Sequence, residues 1–334
     1  MTPAARIAAA IVILDRILDG APAEQALTTW ARGSRFAGSK DRAAIRDLVF
    51  DTLRRKRSRA HLGGAMTGRR LMIGAYREDG ADPGEVFTGE GYAPPPLTAE
   101  ECAMPGEAPE AVRLDCPDWL VERFKCALGV EFAPVMQAMR QRAPVFLRVN
   151  TQKSEVADAI DRLATDGIVA RPHSLAPTAL EVTSGERKVA GSGAYTSGVV
   201  ELQDAASQAV IEAMKPYSAT DQILDYCAGD PQRMKDLPVR ARRAGAKVSL
   251  AGKPSGTWDL VLTDVPCSGS GAWRRQPDAK WRLTDKRLGT LRRIQAEILD
   301  HAAGLVAHGG RLAYATCSML DEENGHQIEA FLAR

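Results

Sequence analysis

Three cysteines stand just past the ends of predicted strands, where an α/β sheet builds its active site. Cys267 follows one apolar segment in the motif Asp264-Val-Pro-Cys267-Ser-Gly-Ser-Gly, and Cys317 ends another in Thr-Cys317-Ser. Cys227 ends a third segment in the same way. Because the carboxyl ends of parallel strands meet at one edge of a sheet, these thiols are expected to lie close together. A lone cysteine would be interpreted as an ordinary buried residue, whereas three at strand ends favour a reactive site.

The cysteines and histidines do not suggest a disulfide framework or a metal site. No Cys-x-x-Cys pair occurs, and His301, His308 and His326 lack the spacing of metal ligands. Free thiols are typical of a reducing compartment, so we expect a cytoplasmic protein without a bound metal. The lack of Cys-x-x-Cys also argues against a thiol redox protein. The six cysteines are Cys102, Cys116, Cys126, Cys227, Cys267 and Cys317.

The region that carries the strand-end cysteines has the pattern of a parallel α/β sheet. Apolar segments alternate with helical ones, as expected for buried strands joined by crossover helices. The predicted strands are 222–226, 247–250, 259–263 and 311–316. The predicted helices are 204–215, 231–244, 285–306 and 321–333. We therefore predict a doubly wound α/β catalytic domain over 201–334.

Three further regions precede this domain. Residues 1–77 are predicted to form an all-helical domain, because apolar residues recur there at helical spacing between glycine and proline breaks. Residues 78–116 are rich in glycine, proline and glutamate and are interpreted as an acidic linker or long surface loop. Residues 117–200 combine helices with short strand-like segments into a small α+β module.

Charge is segregated along a chain whose net charge is only +2. Residues 1–77 carry fifteen Lys and Arg against six Asp and Glu, whereas 78–118 carry eleven Asp and Glu against Arg113 alone. A basic block rich in guanidinium groups suits phosphate contacts, although a solvated helix face explains it equally well. The hydrophobic content of 45% is ordinary for a globular chain, and no apolar stretch predicts a membrane span or a signal peptide.

The two cysteine motifs resemble those of a known family. The segments around Cys267 and Cys317 are similar, in order and spacing, to the paired cysteine motifs of the RsmB/Nop/Sun family of RNA cytosine-5 methyltransferases. Residues 148–151 resemble a motif of that family's RNA-recognition module, and 203–208 resemble the helix entering its catalytic domain. Residues 5–55 resemble the NusB-like domain of some bacterial members. The resemblance implies a Rossmann-like class I methyltransferase core, here incomplete, after a NusB-like domain and an α+β RNA-recognition module.

The resemblance also implies a role for each thiol. Cys317 is the expected nucleophile, Cys267 assists release of the adduct, and Asp264 hydrogen-bonds the cytosine edge near the cofactor. C5 of cytosine is too weak a nucleophile to attack a methyl sulfonium directly, and a thiolate added at C6 turns the ring into an enamine that can. A cytosine in structured RNA must first be unstacked. The residues by themselves predict that two thiols converge and leave open which one attacks.

By the same resemblance the cofactor is S-adenosylmethionine, and part of its site is missing. The family's glycine-rich loop, crossover helix and second strand have no room here, because 230–234 already resemble the start of the next helix. No acidic residue follows the third strand near 250–256, and the chain ends where the family adds two strands. Loss of one contiguous segment explains this better than gradual divergence; whether the natural protein or only this sequence lacks it stays open. The expected cofactor-binding residues are Cys227, Ala228, Gly229, Asp264 and Pro266.

Two sets of residues are predicted to contact RNA. One belongs to the motif of the recognition module, and the other lies between the two cysteines, where basic residues and tryptophans alternate. Such a pattern suits phosphate contacts and base stacking. The predicted contacts are Arg148, Asn150, Arg274, Arg275 and Lys280, with Trp273 and Trp281 as stacking partners.

The sequence therefore predicts a monomeric, S-adenosylmethionine-dependent RNA cytosine-5 methyltransferase. The resemblance favours ribosomal RNA over transfer RNA as the substrate. The alternative is a non-catalytic RNA-binding protein derived from the same family and unable to bind the cofactor. True absence of the glycine-rich loop would favour this alternative.

Overall fold

Helices form most of the first 142 residues because apolar side chains recur there at helical spacing. The first helix, α1, begins after Thr2, whose hydroxyl accepts a hydrogen bond from the Ala5 amide at 3.2 Å, and it has Pro3 at its first position. Proline suits that position because an N–H there would have no partner within the helix. The helices are α1 Pro3–Leu18, α2 Ala23–Gly33, α3 Ser39–Arg54, α4 Lys56–Gly63, α5 Gly68–Glu78, α6 Ala99–Cys102, α7 Glu110–Arg113, α8 Asp118–Leu128 and α9 Phe132–Met139.

The computed structural model describes residues 1–215, 218, 220–229 and 234–334, which divide into two compact units. Unit 1 comprises Met1–Arg142, Cys267–Leu291 and Cys317–His326. Unit 2 comprises Ala143–Pro266, Arg292–Thr316 and Gln327–Arg334. Each unit combines stretches from more than one predicted domain, so the predicted boundaries stay a prediction.

Unit 1 has two hydrophobic cores. One lies among α1 to α5 and buries Ile13, Leu14 and Ile45 completely. The other joins α8 and α9 to the segment after Cys267, and in it the rings of Phe124 and Trp273 meet edge to face at 5.8 Å. That segment carries α14 Pro277–Arg282 and the start of α15 Asp285–Ala303.

The acidic segment 78–116 contains the one-turn helices α6 and α7 and a short 3-10 helix at Pro83–Glu85, and it is anchored to the helices around it. Glu101 is 4% exposed and accepts two hydrogen bonds from the Arg69 guanidinium, both at 2.8 Å. The buried Asp115 carboxylate accepts hydrogen bonds from the Arg57 and Ser58 amides, at 2.8 and 3.0 Å. Asp115 thus caps the N-terminus of α4, which has no cap of its own.

The first sheet of unit 2 is antiparallel, with strand order β2-β3-β1-β4. Its strands are β1 Val145–Val149, β2 Val169–Pro172, β3 Ala179–Ser184 and β4 Val200–Leu202. The helices packed with it are α10 Val156–Thr165, α11 Gly193–Thr196 and α12 Ala205–Ala213. Leu147, Leu163 and Leu180 are fully buried in its core. This module has the α+β character that the sequence predicts.

The second sheet of unit 2 is parallel, in the order β5-β6-β7. The strands are β5 Ile223–Asp225, β6 Trp258–Asp264 and β7 Val306–Ala315. Leu224, Val261 and Leu312 are register neighbours at its centre, and Ala302 of α15 is buried against them. The remaining helices are α13 Leu237–Ala244 and α16 Gly325–Leu332. The predicted parallel α/β arrangement is confirmed.

One predicted strand is wrong. Residues 247–250 are irregular and exposed, although their sequence alternates polar and apolar residues. A strand forms only when a neighbour pairs its backbone groups, and the described residues offer this segment none. The predicted helix over 231–244 is observed from Leu237 onward, and its predicted first residues, 231–233, lie outside the described residues.

Within the described ranges, no helix is both long enough and apolar enough to cross a membrane.

Candidate active site

The loops after β6 and β7 bring two thiols together. The Sγ atoms of Cys267 and Cys317 are 3.4 Å apart. Cys317 is exposed, whereas Cys267 is half-buried. The predicted approach of these two cysteines is therefore observed, and both belong to unit 1. The third strand-end cysteine, Cys227, belongs to unit 2 and is described below with its own neighbours.

A cluster of serine hydroxyls joins the two cysteine loops. The Ser318 hydroxyl lies 3.2 Å from that of Ser268 and 3.3 Å from that of Ser270. The Ser270 hydroxyl also accepts a hydrogen bond from the Met319 amide at 2.7 Å. Each serine is adjacent to a cysteine or three residues from one, so these bonds fix the backbone that carries the thiols. All three serines lie inside the two cysteine motifs, whose sequence by itself indicates no role for them.

A buried carboxylate and a close backbone contact complete this support. Glu323 is fully buried, and its Oε1 accepts a hydrogen bond from the Ser268 amide at 2.8 Å. The Gly271 amide donates to the Cys317 carbonyl at 2.8 Å, and a Cβ at Gly271 would lie 2.8 Å from that oxygen. Glycine is therefore required at this contact. The Asn324 side-chain amide donates to the Ser318 carbonyl at 3.0 Å.

Ionisation of the Cys267 thiol is disfavoured by its surroundings. The hydrogen bond with Cys317, and then burial, raise the pKa of Cys267 well above its usual value. Cys267 therefore keeps its proton and can donate it to the Cys317 sulfur. Because Cys317 is also the more exposed of the two, water can stabilise a negative charge on its sulfur. The pair is arranged as one protonated thiol beside one accessible sulfur.

The ends of β5 and β6 in unit 2 hold the predicted cofactor residues. Cys227 is half-buried there, and burial, followed by the charges of Asp225 and Asp264, raises its pKa to about 11. Partial burial also raises the pKa of Asp264. Cys227 is accordingly a neutral thiol near pH 7 and a poor nucleophile. Gly229 has a φ of +109°, which suits glycine at this turn.

The remaining predicted cofactor residues differ in their surroundings. Ala228 is exposed in the turn after β5. The Pro266 carbonyl accepts a hydrogen bond from the Gln295 side chain at 3.0 Å, which ties the end of β6 to α15. Among the described residues, no group of three or more His, Cys, Asp or Glu is placed to hold a metal ion.

The RNA contact predicted for Lys280 is wrong. Lys280 is 3% exposed, and its Nζ lies 3.3 Å from the Arg54 carbonyl oxygen and over the ring of Trp281. Burial lowers the pKa of this ammonium to about 8. Trp273 is only 2% exposed, so it cannot stack on a base either. The alternation of basic and aromatic residues here results from packing inside the protein. The amino-acid sequence alone does not distinguish such packing from an RNA-binding surface.

Lys280 and Trp281 instead complete the end of α3. The last carbonyls of a helix have no partner within it and need donors from outside. The Leu53 carbonyl receives the indole N–H of Trp281 at 2.7 Å, and the Arg54 carbonyl receives Lys280. The Arg54 guanidinium in turn donates to the Arg274 carbonyl at 2.7 Å. Helix α3 thus holds the part of the chain that follows Cys267.

The other predicted RNA contacts stay predictions. The Arg274 side chain donates to the Arg142 carbonyl at 2.9 Å, and Arg275 is exposed. Arg148 is half-buried on β1. The Asn150 side-chain amide donates to the Ala244 carbonyl at 2.7 Å, which joins the end of β1 to the end of α13. That bond gives Asn150 a structural role in unit 2.

Comparison with known proteins places this fold and site in a class. Residues 189–334 match the family model of the 16S rRNA methyltransferase RsmB/F, and residues 116–189 match the RsmF/B-like ferredoxin-like domain. "Ribosomal RNA small subunit methyltransferase B" of Cronobacter sakazakii is 32% identical over 249 residues, 65% of this chain and 58% of that protein. The protein of the same name from Citrobacter koseri is 32% identical over 266 residues, 70% of this chain and 62% of that protein. The chain thus spans about 58 to 62% of the length of these relatives.

Solved structures share the fold. The crystal structure of PH0851 superposes with a TM-score of 0.75 at 22% identity, covering 100% of this chain and 90% of that chain. The structure of NSun6 from Pyrococcus horikoshii with SFG has a TM-score of 0.56 at 16% identity, over 65% of this chain and 87% of that chain. The fold is therefore α/β with a Rossmann-like methyltransferase core. The chain belongs to the RsmB/Nop/Sun family of methyltransferases.

The described residues fit only part of a site for the methyl donor expected in this family. The strand-end turn with Gly229 and the carboxyl group of Asp264 are present. A second strand beside β5, with an acidic residue at its end, is not found among the described residues. The region predicted as the start of a helix at Asp230 lies outside them. No reaction step through the methyl donor is derived from these residues.

Proposed function

We propose that this chain acts on ribosomal RNA as a cytosine-5 methyltransferase that uses S-adenosylmethionine. Its relatives are named as ribosomal RNA methyltransferases, which supports this substrate. The observation that carries the proposal is the approach of the Cys267 and Cys317 sulfurs to 3.4 Å on braced loops. A thiol pair suits a reaction that must first add to a base and then release it. We further propose that the chain acts as a monomer in the cytoplasm, where both thiols stay reduced, and that its first helices are NusB-like.

The two thiols divide the work. Cys317 is the nucleophile: its thiolate forms a bond to C6 of cytosine, and the displaced ring electrons make C5 electron-rich. Release needs loss of a proton from C5 and cleavage of the sulfur–C6 bond, so that the electrons return to the ring. The C5 proton passes to water, and Cys267 assists this release from its position 3.4 Å from the Cys317 sulfur. Asp264 hydrogen-bonds the cytosine edge.

Exchange of the C5 hydrogen tests the nucleophile without a methyl donor. In deuterated water, C5 of the adduct takes up a deuteron, and the original proton leaves when the Cys317 thiolate is expelled. We expect the wild-type chain to label C5 of a target cytosine in 16S ribosomal RNA, as measured by nucleoside mass spectrometry. Cys317→Ala should show no labelling.

Cys126→Ala is the matched control, because Cys126 is also an exposed thiol of unit 1. It should label the RNA at the wild-type rate. Labelling that persists in Cys317→Ala would place the nucleophile elsewhere and contradict the proposal.

The role of Cys267 predicts a different defect. In Cys267→Ala, addition can occur while release is slow, so a covalent protein–RNA complex should accumulate and survive denaturing electrophoresis. The same complex should be absent from a Cys267→Ala/Cys317→Ala double variant. An inactive Cys267→Ala without any complex would show that the thiols do not divide the work in this way.

A second candidate function is a non-catalytic RNA-binding protein of the same family. The partial cofactor site at the end of β5 favours it. Under this alternative the chain binds ribosomal RNA, and neither C5 labelling nor saturable binding of S-adenosylmethionine is observed. C5 labelling by the wild-type chain separates the two candidates, because it requires a reactive thiol and no methyl donor.

A further inference from the structure

The basic residues of the first helices are unevenly neutralised. Of the fifteen Lys and Arg in residues 1–77, many form ion pairs with carboxylates inside unit 1. These paired arginines are Arg6, Arg46, Arg55, Arg57, Arg59, Arg69 and Arg70. The charge excess of the sequence is therefore largely cancelled, and the cations without a carboxylate partner mark where a negative ligand would bind.

Three exposed cations without an ion pair among the described residues lie close together in the chain. They are Arg32 at the end of α2, Arg35 in the loop that follows, and Lys40 in the first turn of α3. The carboxylate in this stretch, Asp41, is already neutralised by Arg6 at 2.8 Å and by the N-terminal ammonium at 3.2 Å. The loop between α2 and α3 thus presents positive charge that the protein itself does not balance.

The same loop holds an aromatic ring in solvent. Phe36 is 75% exposed, whereas its neighbours Ser34 and Ala37 are buried at 9% and 3%. The Ala37 amide donates to the Ser34 carbonyl at 3.1 Å, and the Arg42 guanidinium donates to the Ala37 carbonyl at 2.8 Å. The loop is therefore a fixed turn with anchored ends, and Phe36 points outward from an ordered backbone.

We propose that the loop between α2 and α3 is an RNA-binding site that grips single-stranded RNA. Phe36 stacks on an unpaired base, and Arg32, Arg35 and Lys40 contact the flanking phosphates. An exposed aromatic ring among cations is the combination that binds single strands, because every base offers a face for stacking and every nucleotide a phosphate. The choice of RNA as the ligand rests on the proposed function, and the site is separate from the thiol pair in the sequence.

Binding of a fluorescein-labelled RNA hairpin with a single-stranded loop tests the site in the full chain. Phe36→Ala should weaken binding about tenfold, because base stacking is removed, whereas Phe36→Tyr should keep the wild-type affinity. Arg32→Gln/Arg35→Gln should reduce the slope of log K against log salt concentration by about 0.7 to 0.9 for each phosphate that the variant no longer neutralises. Fluorescence anisotropy over a series of salt concentrations measures both effects.

Matched controls separate the site from general charge and hydrophobicity. Tyr92→Ala removes an aromatic ring that is 84% exposed in the acidic segment, and it should leave binding unchanged. Arg113→Gln/Arg293→Gln removes two surface charges that are already paired with Glu107 and Glu297, and it should change the slope less than the loop variant does. If Phe36→Ala and the loop double variant both bind RNA like the wild type, the inference is overturned, and the loop serves another partner.

Failure of this inference is distinguishable from failure of the proposed function. At saturating RNA, Phe36→Ala should still label C5 at the wild-type rate, because Phe36 takes no part in the chemistry. Loss of RNA affinity with normal C5 labelling supports both proposals. Normal RNA affinity of Phe36→Ala together with normal C5 labelling would overturn only the RNA-binding role of the loop between α2 and α3.

Discussion

The loops that carry the thiols and the strand ends that carry the predicted cofactor residues differ in how fully their groups find partners. In unit 1, the loop after Cys267 is held by serine hydroxyls, by the buried Glu323 and by the end of α3. In unit 2, β5 is a three-residue strand at the edge of the sheet that the described residues form, and several apolar side chains between residues 223 and 250 face solvent. These exposed apolar residues are Ile223, Val239, Val248 and Leu250.

This difference indicates which part of the reaction site is intact. The two thiols are held by hydrogen bonds internal to unit 1, and those bonds involve no residue of the parallel sheet. The exposed apolar side chains between residues 223 and 250 are of the kind that a further layer of structure normally covers. The base-directed chemistry can therefore be retained where the site for the methyl donor is partial.

Acid should act first on unit 1, because its stability depends on ion pairs. The hydrogen bond from Arg69 holds the pKa of Glu101 at about 2, against 4.5 for an unperturbed glutamate. The folded protein therefore binds fewer protons than the unfolded chain between these pH values. The stabilisation is complete above pH 4.5 and is lost as the pH falls through about 2. We expect the free energy of unfolding to fall by on the order of 3 kcal/mol across this window.

Tryptophan fluorescence during urea unfolding measures this effect. Four of the five tryptophans lie in unit 1 and only Trp258 lies in unit 2, so the signal reports mainly on unit 1. Glu101→Gln should reduce the pH dependence in the acid range, while the lowered pKa values of Asp41 and Asp51 maintain part of it. Glu100→Gln is the control: Glu100 is exposed and paired with Arg70, and exposed pairs contribute less than about 1 kcal/mol. An equal loss of pH dependence in both variants would contradict the assignment to Glu101.

Binding of S-adenosylmethionine should be weak if the strand ends are as incomplete as they are in the described residues. At least two expected anchoring interactions are not found among the described residues, and a hydrogen bond with a charged partner contributes about 1.5 to 3 kcal/mol. We therefore expect binding about a hundredfold weaker than that of the Cronobacter sakazakii relative, compared by calorimetry. Salt-dependent binding of structured RNA should persist. Equal affinity for S-adenosylmethionine would remove the contrast between the two regions.

The sequence predicts the approach of the two thiols but does not predict which residues near them are exposed, and both outcomes have physical reasons. Cys267 and Cys317 could be placed because two parallel strands with short apolar segments fix where the loops after them begin. Lys280 and Trp273 were misassigned because exposure depends on long-range packing against α3 and α8, which local spacing does not encode. The strand predicted at 247–250 does not form, because a strand needs a neighbouring strand that pairs with its backbone groups.

Removal of the Glu323 carboxylate should loosen the support of the loop after Cys267. Glu323→Ala leaves the buried Ser268 amide without its acceptor, and a buried group without its partner lowers stability by about 1 to 3 kcal/mol. We expect this loss in urea unfolding, together with slower C5 labelling. Glu329→Ala, which removes an exposed carboxylate from α16, should change neither quantity. Glu323→Ala with unchanged stability would show that the carboxylate does not hold the loop.

The smallest expected effect tests whether Trp281 caps α3 or contacts RNA. Trp281→Phe keeps an aromatic ring beside Lys56 and Lys280 but removes the N–H that the Leu53 carbonyl accepts. The free energy of unfolding should fall by about 1 kcal/mol, the usual net contribution of one hydrogen bond. If the role of Trp281 is to cap α3, RNA affinity should stay within about twofold of the wild type.

Trp119→Phe is the matched control, since the Trp119 ring is partly buried beside Arg123 and its N–H makes no hydrogen bond within the described ranges. Its unfolding free energy should fall less than that of Trp281→Phe. A Trp281→Phe protein with full stability and weakened RNA binding would reverse the assignment. The segment after Cys267 would then be an RNA surface, as its sequence alone suggests, and the Trp281 indole would take no part in holding that segment against α3.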